Sequence, residues 1–158
     1  VSMSYIKAKE YLKRYNLEDR IMEFDESSAT VHDASLRLNC TEGEIAKTLS
    51  FIVNDKPILI VTAGDTKIDN SKFKKEFHIK AKMIDYDNVE KLIGHSVGGV
   101  CPFGINEGVD VYLDTSLKKY NIVYPACGSS NSAVKLSVSE LEKISNNKKW
   151  ISVCKDNG

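Results

Sequence analysis

Apolar and polar positions alternate along this chain in two periods. Tyr5, Ala8, Leu12 and Tyr15 stand three or four residues apart, with Lys7, Lys9 and Lys13 between them. That spacing predicts an amphipathic first helix with its lysines outward. A short strand is expected over residues 21–24. Thr30, with Asp33 as third helical residue, caps a second short helix whose apolar positions are Ala34, Leu36 and Leu38. Thr41 and Glu44 repeat the signature and open one turn that delivers Ile45, Ala46 and Lys47 to the start of a strand. Residues 48–53 and 58–63 are β-rich runs separated by Asn-Asp-Lys-Pro, a four-residue hairpin connection between two central strands.

Further on, Phe73 and Phe77 mark a helix over 71–77, residues 80–84 return as a strand, and Asp87 caps a helix that ends near Gly94. The periodicity then stops. Residues 94–104 read GHSVGGVCPFG, which predicts an irregular loop. Strands follow over 109–113, 122–126 and 132–136, the last after the turn Gly128-Ser129-Ser130-Asn131. Ser137 and Glu140 form a capping box ahead of Leu141 and Ile144, and residues 150–153 suit an edge strand. Strands outnumber helices and run in hairpins as well as crossovers. The expected class is therefore α/β of a mixed, α+β-like kind: a mostly antiparallel sheet or small barrel with peripheral helices, and not a doubly wound fold. With no repeat, low-complexity segment or linker, residues 1–158 read as a single domain.

Composition sharpens this only where charge is concerned. The 158 residues are 42% hydrophobic and 28% charged, ordinary for a globular domain that builds its core without disulfide or metal. The 22 Lys+Arg and 22 Asp+Glu cancel to a formal net charge of +0, which excludes a general polyanion binder. The charges are nonetheless sorted along the chain. Residues 18–33 carry Glu18, Asp19, Glu23, Asp25, Glu26 and Asp33 against Arg20, whereas 65–82 carry Lys67, Lys72, Lys74, Lys75, Lys80 and Lys82 against Asp65, Asp69 and Glu76. A local basic stripe on a neutral chain suits contact with one end of a nucleic acid. Cys40, Cys101, Cys127 and Cys154 form no C-x-x-C pair, so neither a zinc site nor a dithiol centre is expected. Charged residues interrupt any apolar signal core at the start, and apolar runs such as 57–61 are too short to span a bilayer. A cytoplasmic chain with reduced thiols, no membrane partner and no cofactor is the expectation.

Candidate chemistry gathers at a few positions. The paired glycines of the 94–104 loop let backbone approach a ligand and turn amide N–H groups outward, as an oxyanion hole requires. Lys47 stands where a helical turn enters an apolar strand, so it either snorkels or sits in a pocket as a point charge for phosphate or carboxylate. Cys101 before Pro102 invites a peroxiredoxin-like reading, but Gly98 stands where Thr or Ser is required and no resolving partner is evident. His32 and His78 suit the surface, and His95 suits either loop packing or a substrate contact. Ser129, Ser130 and Ser132 lack a G-x-S-x-G context and read as turn residues.

Five ordered segments, IAKTLSFIV at 45–53, VTAGDTKID at 61–69, GHSVGGVCPFG at 94–104, LDTSL at 113–117 and PACGSSNSAVKLSVSEL at 125–141, together resemble the YbaK/EbsC family of aminoacyl-tRNA deacylases. A domain of this kind is also inserted in bacterial prolyl-tRNA synthetases as an editing module. The resemblance covers about residues 25–145 and implies a mixed, barrel-like α/β domain. It further implies hydrolysis of the ester joining a wrong amino acid to tRNA, typically alanine or cysteine on tRNA for proline.

The family's A-K-T lysine falls on Lys47 and its G-x-x-x-P loop on Gly98 to Pro102. With Lys47, Gly98 and Gly99 as catalytic candidates, the substrate-contacting set is Thr30, Thr48, His95, Val100, Cys101, Pro102, Gly128 and Ser129. The tRNA-contacting set is Lys67, Lys72, Lys74 and Lys75. The implied partner is the acceptor end of a mischarged tRNA, with a transient synthetase complex as a further expectation. One departure stands out: in the branch that clears cysteine, the segment before the last helix carries Arg and Asp, whereas here it reads GSSNSAVKL with Ala133 near the acid's place. Two other readings remain open: an aminoacyl-tRNA binder that kept the pocket and lost turnover, and an esterase or thiol enzyme using Cys101.

Overall fold

A computed structural model of the chain describes residues 2–28 and 30–156. Helix α1 (Met3–Lys13) starts where the Tyr5 amide donates to Ser2 Oγ at 3.1 Å, and it buries Tyr5, Ala8 and Leu12. It ends before the expected Tyr15 because the chain turns back through Asn16 at φ 59°. Helix α2 (Val31–Leu38) begins as its cap predicts, with the Asp33 amide donating to Thr30 Oγ1 at 3.0 Å. Its inward stripe is Val31, Ala34 and Leu38. Leu36, expected on that stripe, is instead 67% exposed.

The capping box of Thr41 and Glu44 forms as a single 3-10 turn and feeds β2 (Ile45–Val53). The hairpin to β3 (Lys56–Ala63) is tighter than the expected four residues. Asn54 and Asp55 alone turn the chain, at φ 51° and 67°, and Lys56 and Pro57 join the strand. Two left-handed residues make a type I′ turn, whose twist matches that of the strands it joins.

Around this hairpin lie β4 (Asp110–Asp114), β5 (Ile122–Pro125), β7 (Leu136–Ser137) and β8 (Trp150–Ile151), in the order β7-β5-β2-β3-β4-β8. β2 with β3 and β5 with β7 run antiparallel; β2 with β5, β3 with β4, and β4 with β8 run parallel. A separate antiparallel pair joins β1 (Ile21–Glu23) to β6 (Ser132–Val134). The mixed sheet curls into a half-barrel with helices around it. β8 is the edge strand expected at the end of the chain, though shorter than 150–153.

Side chains sort by the two-residue period of the hairpin. Ala46, Leu59 and Val61 face the main core with α1, Phe103, Leu113 and Leu141. Phe51, Ile58 and Ile60 face a second cluster closed by α3 (Asn70–Phe77), where Phe73 stacks 5.0 Å from Phe51 and 4.7 Å from Phe77. Residues 80–84 do not form a strand. Met83 alone bridges to Phe51, between two hydrogen bonds in which Ile52 N–H donates to the Lys82 carbonyl and Ile84 N–H to the Ser50 carbonyl, and the pairing extends no further. Nor does Asp87 cap the next helix: a 3-10 turn at Tyr86–Asn88 precedes α4 (Val89–Ile93), whose cap residue is Asn88 and which Gly94 ends at φ 98°. Helix α5 (Val138–Ile144) follows its predicted capping box, with Glu140 N–H donating to Ser137 Oγ at 3.0 Å. Among the described residues no helix is long and apolar enough to cross a membrane.

Candidate functional site

The start of β2 and the end of β5 share one face of the sheet, where Ile45 stands opposite Tyr124. Over this face α2 lays Val31, Ala34 and Leu38, leaving a cavity of about 200 Å³. Its far wall is the 97–100 loop with the 126–133 turn, and Phe24, Ser28 and Thr30 complete the rim. Among the described residues Lys47 is the cavity's only charged lining residue, and no carboxylate lines it. Ala133 lies on its wall.

Lys47, two residues past Ile45 on β2, lines the cavity. Its ammonium donates to the main-chain carbonyl of Thr66. Burial lowers its pKa from the ordinary lysine range, with Cys154 and Asp65 opposing the shift and Lys67 adding to it. Its placement is half-buried and tethered, neither free snorkelling nor full burial.

The loop is rigid for reasons the sequence only partly announces. His95 is wholly buried, and its Nε2–H donates to the Phe103 carbonyl at 2.5 Å. A carbonyl only accepts, so Nδ1 carries the lone pair and takes the Ser4 hydroxyl at 2.7 Å. Ser4 Oγ in turn accepts the Ser96 amide at 3.3 Å. Burial keeps the ring below the ordinary histidine range, so it stays neutral. A Cβ on Gly99 would lie 2.1 Å from the Gly128 carbonyl carbon, and one on Gly128, at φ 78°, would lie 2.3 Å from the Ser4 carbonyl oxygen. Three backbone segments therefore stack without side chains between them.

This packing divides the candidate residues. Gly98, Val100, Thr30, Thr48 and Ser129 line the cavity with Lys47. Gly99 does not: its amide donates to the Ser96 carbonyl at 2.9 Å, so it shapes the loop and has no N–H left for an oxyanion. His95, Cys101, Pro102 and Gly128 are buried behind the wall and are not on the cavity surface. Cys101 is 0% exposed and burial pushes its thiol up to about 12. Ser129 and Ser132 hold each other at 2.6 Å between hydroxyl oxygens, and Ser132 also donates to the Cys127 carbonyl at 3.2 Å, so these serines serve the turn. Of the four candidate tRNA lysines, Lys67, Lys74 and Lys75 are exposed, while Lys72 donates to Asp156 at 3.0 Å and to the Cys154 carbonyl at 2.8 Å. Among the described residues no group of three or more His, Cys, Asp or Glu is placed to hold a metal ion.

Sequence reasoning missed Phe24, Ser28, Tyr124, Ala126, Ser130 and the α2 stripe as lining residues. For α2 the signal was present, since Val31, Ala34 and Leu38 are spaced at i, i+3 and i+7. Phe24 and Ser28 are brought in by long-range pairing, their amides donating to the Asn131 and Ser130 carbonyls at 2.8 and 2.7 Å.

Comparison with known proteins bears on what this cavity is for. The profile of the aminoacyl-tRNA editing domain matches residues 25–144, which carry the lysine, the loop and the serine turn. The chain belongs to the aminoacyl-tRNA editing domain family. An uncharacterized Bacillus subtilis protein, YwhH, is 46% identical to this editing domain over 155 residues, 98% of this chain and 99% of that one. The proline–tRNA ligase of Bacillus cytotoxicus is 28% identical over 101 residues, 63% of this chain and 18% of the ligase. That of Aquifex aeolicus is 30% identical over 90 residues, 56% of this chain and 16% of the ligase. The editing domain thus matches less than a fifth of either ligase. In fold it superimposes at a TM-score of 0.87 on the crystal structure of a proposed trans-editing enzyme for prolyl-tRNA synthetase, 23% identical, with 99% of each chain covered.

Proposed function

We infer that this chain is a trans-editing hydrolase, acting as one domain in the cytoplasm, that cleaves the ester of mischarged aminoacyl-tRNA. The substrate is tRNA for proline carrying alanine or cysteine. The observation that carries this reading is a small cavity lined by Lys47, the one charged residue among its described lining residues, and walled by a glycine loop, in a chain of the editing domain family.

An aminoacyl ester is already activated, so holding its carbonyl and stabilising the developing oxyanion supplies most of the acceleration. Gly98 and Val100, on the cavity wall, present the main chain that polarises the carbonyl. Lys47 anchors a phosphate or other polar group of the terminal nucleotide as a point charge. A water, or a group of the substrate itself, then attacks. Apolar walls from α2 and Tyr124 read the amino acid by size, a discrimination of about 1–3 kcal/mol per methylene.

The test is a panel of tRNAs charged with alanine, cysteine, serine and proline, followed by loss of label. Multiple-turnover release of alanine or cysteine from tRNA for proline supports the reading. Retention of label in every pair overturns it and leaves an aminoacyl-tRNA binder. A thiol mechanism through Cys101 has no support in the geometry, because that sulfur is enclosed behind the loop.

A further inference from the structure

Thr48 holds polar groups that find no partner among the described residues. Its hydroxyl oxygen is buried and unpartnered. Its main chain is open as well, which follows from the phase of the ladder. The two-residue turn makes Val53 and Lys56 a hydrogen-bonded pair, so odd-numbered residues of β2 exchange bonds with β3 and even-numbered ones point to the other edge. Along that edge Ala46 lies against Pro125 of β5. Ser50 accepts the Ile84 amide at 3.1 Å, and Ile52 donates to the Lys82 carbonyl at 2.9 Å. Thr48 falls between, past the last residue paired with β5 and before the first contact of the 82–84 segment. It also lines the cavity.

Unmet polar groups at a sheet edge are costly, and a cavity that retains them is built for something that meets them. An aminoacyl ester carries an α-ammonium with three donors and, one bond away from its α-carbon, a carbonyl that accepts. Among the described residues no carboxylate lines this cavity, so the ammonium is read by neutral acceptors. We propose that Thr48 is the α-amino subsite: its main-chain carbonyl and hydroxyl accept from the substrate ammonium, and its N–H faces the ester carbonyl. The amino acid then adds one rung to the free edge of β2, in the manner of strand addition. This rests on the editing reading and supplies what that reading lacks, a way to recognise an α-amino acid without an acidic residue.

The experiment uses non-hydrolysable 3′-amido analogues of the charged terminal adenosine, bearing alanyl, N-acetylalanyl or lactyl groups, titrated into the labelled chain by amide NMR. The alanyl analogue is expected to shift the Thr48 amide and slow its hydrogen exchange, and to bind at least tenfold more tightly than the other two. Thr48→Val, checked for an unchanged Tm, should weaken the alanyl analogue about tenfold and leave the lactyl one unaffected. If Gly98 and Val100 shift while Thr48 does not, or if all three analogues bind alike, the subsite is overturned and the editing reading stands. If no cavity resonance responds to any analogue, the editing reading fails and the subsite with it.

Discussion

The Lys47 ammonium donates to the main-chain carbonyl of Thr66, and the Thr66 hydroxyl donates to the Lys155 carbonyl at 3.0 Å. The tail of the chain thereby holds the lysine through one intermediary. Ile68 bridges Cys154, Lys155 N–H donates to the Lys67 carbonyl at 2.8 Å, and the buried Asp114 accepts the Val153 amide at 2.8 Å. Thr66→Val is expected to leave the fold intact and loosen this brace. Exposure of the ammonium then raises the Lys47 pKa toward its ordinary value, measured by NMR titration of the methylated amine. An unmoved titration would show that the tail does not position Lys47.

The lowered pKa of Lys47 has a sign that can be tested. In the native state the ammonium is disfavoured by burial, so the unfolded chain binds more protons between the lowered native value and 10.5. Stability relative to Lys47→Met should therefore rise as pH climbs through that window, while activity that needs the charge should fall over the same range. Urea denaturation at several alkaline pH values measures the first and a pH–rate profile the second.

Two adjacent glycines should behave differently. A Cβ at Gly98 meets only Ser130, at 3.0 Å from its Cβ, whereas at Gly99 it meets backbone at 2.1 Å. Gly99→Ala is expected to destabilise by about 3 kcal/mol through forced separation of the loop from the Gly128 turn. Gly98→Val should change Tm by a few degrees at most and lower deacylation at least tenfold, because it fills the wall of the cavity. Thermal melts beside rate measurements separate the two.

How far the sequence disclosed the site is visible in these same residues. Local signals succeeded at three caps, where Thr30, Thr41 and Ser137 cap as their spacing predicts, and failed at Asp87 and in the length of the hairpin turn, which takes two residues and not four. Lys47 and the glycine loop were identifiable because their residue types are out of place in a strand and in a compact domain. The division between Gly98, which lines the cavity, and Gly99, which packs, depends on Gly128 and Ser4, which are distant in sequence. So does the burial of His95 and Cys101. The Thr66 brace uses a main-chain carbonyl, for which no residue type is diagnostic.

Cys101 should be inert. With its thiol pushed up to about 12 and no exposure, only about one part in ten thousand is thiolate at pH 8. Iodoacetamide should not label it in the native state, and Cys101→Ala should keep deacylation within threefold of the starting rate. Mass spectrometry of the alkylated chain and a rate measurement check both.

The exposed lysines predict weak, salt-sensitive contact with tRNA. Replacing Lys67, Lys74 and Lys75 by Gln should lower affinity and flatten the dependence of log K on log salt, since each phosphate contact adds a slope of about 0.7–0.9. Lys72→Gln should chiefly lower stability, because that side chain is committed to Asp156 and the Cys154 carbonyl. Binding isotherms at several salt concentrations distinguish them.

We assign Lys47 to ester hydrolysis in this cavity. Single-turnover deacylation of alanyl- and cysteinyl-tRNA for proline by Lys47→Ala, with Tm recorded alongside, tests it most directly. The melt should be unchanged and the rate lower by about a hundredfold or more. Wild-type rates in a folded Lys47→Ala chain would contradict it.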